Sequence, residues 1–329
     1  MKNNNYNFQR ESVSGLVSVI MSVYNAADYL AEAVSSILNQ TYRDLEFIII
    51  NDGSTDHTRE ILESYSDQRI LLLHQENAGL TKSLNRALSL ARGEFIGRQD
   101  ADDVSMPDRF QTQVQFLRDK PDVAMVGSSV KVIDTQGDEL AFFNPPCDSD
   151  TIRHKLKSYN CFWHGSVLFR HSSIKAVGGY TEAFTTAQDY DLWLRFAQRY
   201  PLENLPTPLY AYRFNPNAVT FKRIISQQRL AQVARELAKA RENGQPEDAV
   251  LQGLSTFLAA PLTGAEGKEI VQSYKPWCRL LLNKNKLDAA RALMSAVFKY
   301  HPSFVFRTRF TFTKHLLSRS QLERVLENA

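Results

Sequence analysis

The chain has 329 residues, 43% hydrophobic and 23% charged, with a formal net charge of +3. That length suits one large domain with an appendage, and the composition is that of an ordinary globular protein, not a disordered or fibrous one. The three cysteines, Cys147, Cys161 and Cys278, have no CxxC spacing, which argues against a disulfide framework and against a zinc site.

The first fourteen residues are polar and lack the apolar core of a signal peptide. No run approaches the roughly 18 apolar residues of a membrane span, so a cytoplasmic location is expected. The charge is uneven. Residues 1–222 hold 22 Lys and Arg against 27 Asp and Glu, net −5, and residues 223–329 hold 17 against 9, net +8. The expected organisation is a polar tail over 1–14, an α/β domain over 15–222 and a basic helical domain over 223–329.

Residues 16–24 (LVSVIMSVY) form a short β-rich apolar run, as expected for a strand buried on both faces. Asp28 is placed to cap the following amphipathic helix, in which Leu30, Val34, Ile37 and Leu38 share a face. Residues 45–50 (LEFIII) predict a second buried strand, ended by Asn51-Asp52-Gly53-Ser54-Thr55-Asp56. A helical segment, a strand at 70–73 and a helix over 81–91 lead to a further strand at 94–97.

This alternation predicts a parallel, doubly wound α/β sheet, whose ligands sit beyond the carboxyl ends of its strands. Three such ends carry polar clusters: Tyr24-Asn25, Asn51-Asp52 and Asp100-Ala101-Asp102-Asp103. Carboxylates crowded like these repel one another unless a cation sits among them. Oxygen-only ligands suit Mg²⁺ or Mn²⁺ bound to substrate phosphates. The alternative is a solvated acidic turn in which Ser105 caps the next helix and Asp108 completes a capping box. No Gly-x-Gly-x-x-Gly follows the first strand and no phosphate-loop Gly-Lys-Ser/Thr occurs. A bound diphosphate therefore needs a metal to neutralise it.

Beyond residue 121 the pattern changes. Residues 123–126 and 130–133 read as strands around a turn at Gly127, 142–149 as a loop, and 166–169 as another strand. Residues 191–196 read as helix, with Asp189 at its first turn, where the dipole favours a carboxylate. From 224 onward two apolar stripes appear: Leu230, Val233, Leu237 and Ala240, then Leu287, Ala290, Leu293, Met294 and Val297. They predict a helical core packed on itself or on the preceding domain. The segment 301–319 mixes Phe with Arg and Lys. It suits an anionic membrane surface, at about 1 kcal/mol per basic residue, or a solvated or dimer-forming helix.

In its ordered motifs the chain resembles glycosyltransferase family 2. The resemblance is carried by residues 17–25, the turn at 51–56, Asn77-Ala-Gly-Leu with Asn85, the Asp100-Ala-Asp-Asp run, Val177-Gly-Gly-Tyr and Gln188-Asp-Tyr-Asp-Leu-Trp-Leu-Arg195. It implies a GT-A fold, Rossmann-like, with a mixed, mostly parallel sheet flanked by helices. It also implies inverting transfer from a nucleoside-diphosphate sugar, usually of uridine.

Carried over by position, the resemblance implies that Tyr24 and Asp52 bind the base, although Asp52 also suits a turn that shapes its own loop. Asp100 would face the ribose or the metal, and Asp102 would be the principal metal ligand, helped by Asp100 or Asp103. Asp189 would be the base that deprotonates the acceptor hydroxyl, and Arg213 would approach the diphosphate. Trp163 and His164 fall on the acceptor side, although Trp163 equally suits a core position. Where the family often has Glu, this chain has Gln188, and losing that neighbouring charge makes Asp189 easier to ionise. No Gln-x-x-Arg-Trp occurs, so a single transfer is expected instead of processive synthesis.

The expected protein is thus an enzyme that uses Mn²⁺ or Mg²⁺ and a nucleotide-sugar donor. Its acceptor would be a lipid-linked, polysaccharide or other cell-envelope glycan. Peripheral contact with the inner face of the plasma membrane is expected through the basic end, and no nucleic-acid partner is. Two rivals are a non-catalytic sugar-nucleotide or glycan-binding module and a nucleotidyl- or phosphotransferase, against which the missing phosphate loop counts.

Overall fold

The apolar runs of the first hundred residues become neighbouring strands of one sheet. The computed structural model describes residues 11–215, 223–298 and 300. Strands β1 (Val13–Val23), β2 (Leu45–Asp52), β3 (Ile70–Gln75) and β4 (Gly93–Arg98) are joined by helices α1 (Ala27–Leu38), α2 (Thr58–Glu63) and α3 (Leu80–Leu90). β1 pairs in parallel with both β2 and β4, and β2 with β3. All eight residues of β2 are buried.

The twofold alternation of a strand explains how one run serves two cores. Val17, Val19 and Met21 of β1 meet Leu30, Val34 and Ile37 of α1 on one side. Ile20 of β1, with Ile48 and Ile50 of β2, meets Leu84 and Leu88 of α3 on the other.

The chain continues through β5 (Val104–Ser105), α4 (Arg109–Asp119), β6 (Met125–Ile133), β7 (Glu139–Phe143), α5 (Ser149–Leu156), β8 (Leu168–Arg170), α6 (His171–Val177), α7 (Gln188–Ala197) and β9 (Leu202–Arg213). The order across the sheet is β3-β2-β1-β4-β8-β6-β9-β5, with β7 paired to β6. β8 runs antiparallel to β4 and β6, so the sheet is mixed, with a parallel half that carries the expected loops.

Several local expectations are corrected. Gly127 makes no turn; it lies inside the continuous strand β6. A Cβ there would stand 2.2 Å from Asn204 Oδ1, so the glycine serves close approach to β9. Asp28 does not cap α1; Asp56 does so from the neighbouring turn, accepting the Ala27 N–H at 3.2 Å. Residues 142 and 143 belong to β7 instead of a loop. The capping box of Ser105 and Asp108 is absent, because the Ser105 hydroxyl bonds Gln99 and Asp108 makes no side-chain cap.

After residue 222 come α8 (Ile224–Glu242), α9 (Asp248–Leu251), α10 (Leu254–Ala259), α11 (Gly264–Asn283) and α12 (Leu287–Phe298). The first predicted stripe packs on the sheet: Leu230, Val233 and Leu237 share a core with Leu192 and Phe196 of α7. The second, from Ala290 to Val297, joins Val132 of β6 and Leu140 of β7. Its first member, Leu287, is 37% exposed. The basic segment 301–319 lies outside the described residues. Among those described, no helix is long and apolar enough to cross a membrane.

Candidate active site

Register brings the polar strand ends together. Val23 of β1 is paired with Asn51 of β2, and Ile20 with Arg98 of β4, so residues 24–25, 51–56 and 99–103 leave the sheet side by side. The turn after β2 grips the loop after β1: Asn25 Oδ1 accepts the Thr55 N–H at 2.8 Å, and Ser54 Oγ accepts the Asn25 N–H at 3.0 Å. Asn25 sits in the left-handed region, at φ 50°, a conformation sustained by this grip. Tyr24 beside it is 51% exposed, its ring open to a ligand.

Asp52 is buried and organises the next loop. It accepts the Ala78 N–H at 2.8 Å, the Gly79 N–H at 2.9 Å and Gln75 Nε2 at 2.7 Å. Gly53 allows this closeness, since a Cβ there would stand 2.7 Å from the Asn77 nitrogen. Asp52 thus pins the 76–79 loop instead of shaping only its own turn. Its Oδ2 keeps acceptor capacity for a base N–H.

The aspartate run divides into different roles. Asp100 pairs with Arg98, Nη2 to Oδ1 2.5 Å, at the rim of the site. Asp102 faces Asp100, and its pKa is raised to about 6 by burial and then by the Asp100 charge. Asp103 is turned inward: it accepts the Arg213 N–H at 2.7 Å and a bond from the Tyr210 hydroxyl. Burial, and then Asp102 and Asp100, push its pKa well up. Asp103 therefore anchors the loop to β9 through its carboxylate.

Arg213 is likewise engaged within the fold. Its Nε donates to the Asp102 carbonyl at 2.8 Å, Nη1 to the Asp134 carbonyl at 3.1 Å, and Nη2 to Glu32. The guanidinium lies over the Tyr29 ring and is 3% exposed. It clamps the aspartate loop from behind.

A metal needs Asp100 and Asp102. Among the described residues, no three His, Cys, Asp or Glu side chains converge on one point. Asp102, buried beside the Asp100 charge, forms with it an oxygen-only pair whose repulsion a divalent cation would relieve. Mg²⁺ and Mn²⁺ commonly bind through one or two carboxylates together with substrate phosphates. The residues present fit that ion.

Asp189 stands in the first turn of α7, two residues after Ala187, which adopts a left-handed φ of 54°. Its Oδ2 accepts Asn160 Nδ2 at 2.7 Å. Burial raises its pKa to about 6, against bonds from the Tyr190 N–H and Asn160 that lower it. The Asp100 charge also reaches it and adds to the rise, so the two carboxylates share one site. Asp191, two residues on, is wholly buried between Arg195 and Arg241; burial opposes its charge, and the two guanidinium groups with a bond from Thr181 together hold its pKa low.

On the acceptor side, Trp163 is half-buried against Tyr212, at 4.7 Å between centroids, and against Phe143 and Trp277. His164 bonds the Tyr180 hydroxyl through Nε2 at 2.8 Å, and burial with the nearby Arg98 keeps it neutral.

Two members of the site, Arg98 and Asn160, carried no motif. Arg98 is fully buried with Nε and Nη1 unpartnered among the described residues. A charged residue closing a buried strand was its one signal in sequence. Asn160 holds Asp189 from a loop with no spacing to mark it. Tyr210 accepts the Asp100 N–H at 3.1 Å and bonds Asp103, which ties both aspartates to β9.

The profile for glycosyl transferase family 2 matches residues 18–178. The chain is 38% identical over 214 residues to the putative glycosyltransferase EpsE of Bacillus subtilis, covering 63% of this chain and 75% of that one. It is 34% identical over 206 residues to the O-antigen biosynthesis glycosyltransferase WbnJ of Escherichia coli, covering 61% and 80%. Its fold is similar to that of S. aureus TarS 1–349 in complex with UDP, with TM-score 0.55 at 19% identity over 95% of this chain and 87% of that one. It is also similar to the mannosyltransferase PcManGT of Pyrobaculum calidifontis in complex with GDP-Man and Mn²⁺, with TM-score 0.55 at 19% identity over 100% and 88%. The fold is therefore GT-A-like, and the chain belongs to the family 2 glycosyltransferases.

Proposed function

We propose that the chain transfers one sugar, with inversion, from a nucleoside-diphosphate sugar to a cell-surface glycan acceptor. The observation that carries this is Asp189, a carboxylate with a pKa near 6, held by Asn160 within reach of the Asp100 charge. A base with a pKa just below neutrality is ionised at working pH and still basic enough to draw a proton in the transition state.

The acceptor hydroxyl gives its proton to Asp189 as its oxygen bonds to the anomeric carbon. The bond from that carbon to the diphosphate breaks, and the diphosphate leaves with the electron pair. Attack on the face opposite the leaving group inverts the centre. Tyr24 stacks on the base and Asp52 Oδ2 accepts a base N–H. Asp100 and Asp102 would hold a divalent metal, which when bound would neutralise charge on the leaving diphosphate.

Uridine and guanosine sugar nucleotides are both reasonable donors, because the fold neighbours are complexes with UDP and with GDP-Man and Mn²⁺. A surface-glycan acceptor is supported by the likeness to an O-antigen biosynthesis enzyme. The basic 301–319 segment would hold the enzyme peripherally at the cytoplasmic membrane face, where lipid-linked acceptors gather.

The test is nucleotide release from UDP-, GDP- and dTDP-sugars with Mn²⁺, repeated with EDTA and with Asp102→Ala. Release by one donor, abolished by EDTA and by the substitution, is expected. Binding of a donor without turnover would make the chain a sensor instead.

A further inference from the structure

Beside Asp189 opens a cleft of about 370 Å³, at the lower end of the range for small-molecule sites, about 300–1,000 Å³. Phe143, Asn144, Pro145, Tyr159, Asn160 and Trp163 are among its walls. Asn160 is the hinge of the argument: it lines the cleft and also bonds Asp189 at 2.7 Å. Whatever fills the cleft is thus one side chain away from the proposed base.

The lining names the occupant's chemistry. It contains no Lys, Arg, Asp or Glu, so it offers nothing to a phosphate or a uronate. Phe143 is 37% exposed and Tyr159 48%, which leaves aromatic surface available at the opening. Phe143 is held rigid by stacking on Trp277 of α11, centroids 5.2 Å apart, and by Trp163 at 5.8 Å. The exposed Asn144 has its Oδ1 engaged by Ser129, which leaves its Nδ2 to donate to a hydroxyl. Negative aromatic faces with interspersed amides match a neutral sugar ring, whose C–H faces carry positive edges and whose rim carries hydroxyls.

We infer that this cleft is a carbohydrate subsite for the ring adjoining the one that reacts. The enzyme would then extend a glycan of two or more sugars instead of starting a chain. The substrate it consumes must come from a preceding glycosyl transfer. This rests on the reading of Asp189 as the base, because that residue fixes where the reacting ring lies. α11 acquires a purpose in the same step, since its Trp277 sets the position of the Phe143 wall.

The test applies the full chain to a glycan array of neutral saccharides of one to four rings, with Tyr159→Ala and Tyr159→Phe alongside. Vesicles carrying polyprenyl phosphate form a second arm. Retention of saccharides with two or more rings, and not of single rings, is expected. Tyr159→Ala should weaken it about tenfold, equal to about 1.4 kcal/mol, and Tyr159→Phe should preserve it. Equal retention of single rings, no retention at all, an unaffected Tyr159→Ala, or vesicle binding that Tyr159→Ala abolishes would each overturn the subsite. Nucleotide release into water by the wild-type chain reads the donor half separately. An inert array with continuing release removes the subsite alone, and silence in both removes the reading on which it rests.

Discussion

Asn160 and Asp189 come from different parts of the chain and meet through one hydrogen bond, Nδ2 to Oδ2, of 2.7 Å. The bond favours the ionised carboxylate, and burial opposes it more strongly, which leaves the group with a pKa of about 6. Asn160 thereby sets both the direction and the basicity of the carboxylate.

A pH profile follows from that balance. Transfer should rise with pH through about 6 as Asp189 ionises. Asn160→Ala removes a bond that stabilises the anion, so the acidic limb should move to higher pH. Misorientation should lower the plateau about tenfold or more. Steady-state rates from pH 5 to pH 8 check both, and a profile that does not move would remove Asn160 from this role.

Asp52 carries a structural duty beside its proposed one. Asp52→Ala strands the amides of Ala78 and Gly79 and should destabilise the protein by about 3 kcal/mol, as expected for bonds to a charged acceptor. Donor affinity should fall with it. Thermal melting and calorimetric titration of the donor nucleotide measure the two effects.

Asp102 should cost stability when ionised. Its pKa lies above the ordinary carboxylate value of 3.8, at about 6, so the folded state binds more protons than the unfolded one between those values. Stability from this group is present at low pH and lost as pH rises through that window. Asp102→Asn should therefore gain on the wild type in melting temperature from pH 4 to pH 7. Manganese should narrow the difference by stabilising only the wild type. Parallel melting curves across that range would contradict this.

Asp191 joins α7 to α8 through Arg195 and Arg241. Asp191→Ala leaves Arg195 without its carboxylate, while Arg241 keeps Glu247, and should cost about 3 kcal/mol. Denaturant unfolding reads the loss. A cost below 1 kcal/mol, on the order of an exposed ion pair, would show that the contact is a surface one.

The parallel half of the fold was legible because β1, β2 and β4 are built on apolar runs that end abruptly in polar turns. What escaped was long-range. Asp28 looked like a cap because nothing local reveals that Asp56, from another loop, takes the Ala27 N–H. Gly127 looked like a turn because a glycine required for close approach to Asn204 reads the same in sequence. Motif position does not reveal that the Asp103 carboxylate accepts the backbone N–H of Arg213, or that the Arg213 guanidinium is held by the Asp102 and Asp134 carbonyls. Arg98 and Asn160 belong to the site only through tertiary contact.

Donor binding and transfer in Asp189→Asn, with Mn²⁺ and the donor that the wild type hydrolyses, test the role of that carboxylate most directly. Nucleotide affinity within about twofold of wild type is expected, with kcat for transfer lower by roughly 10²–10⁴. Transfer at the wild-type rate would show that the proton leaves by another route and that Asp189 is only a helix-terminal carboxylate.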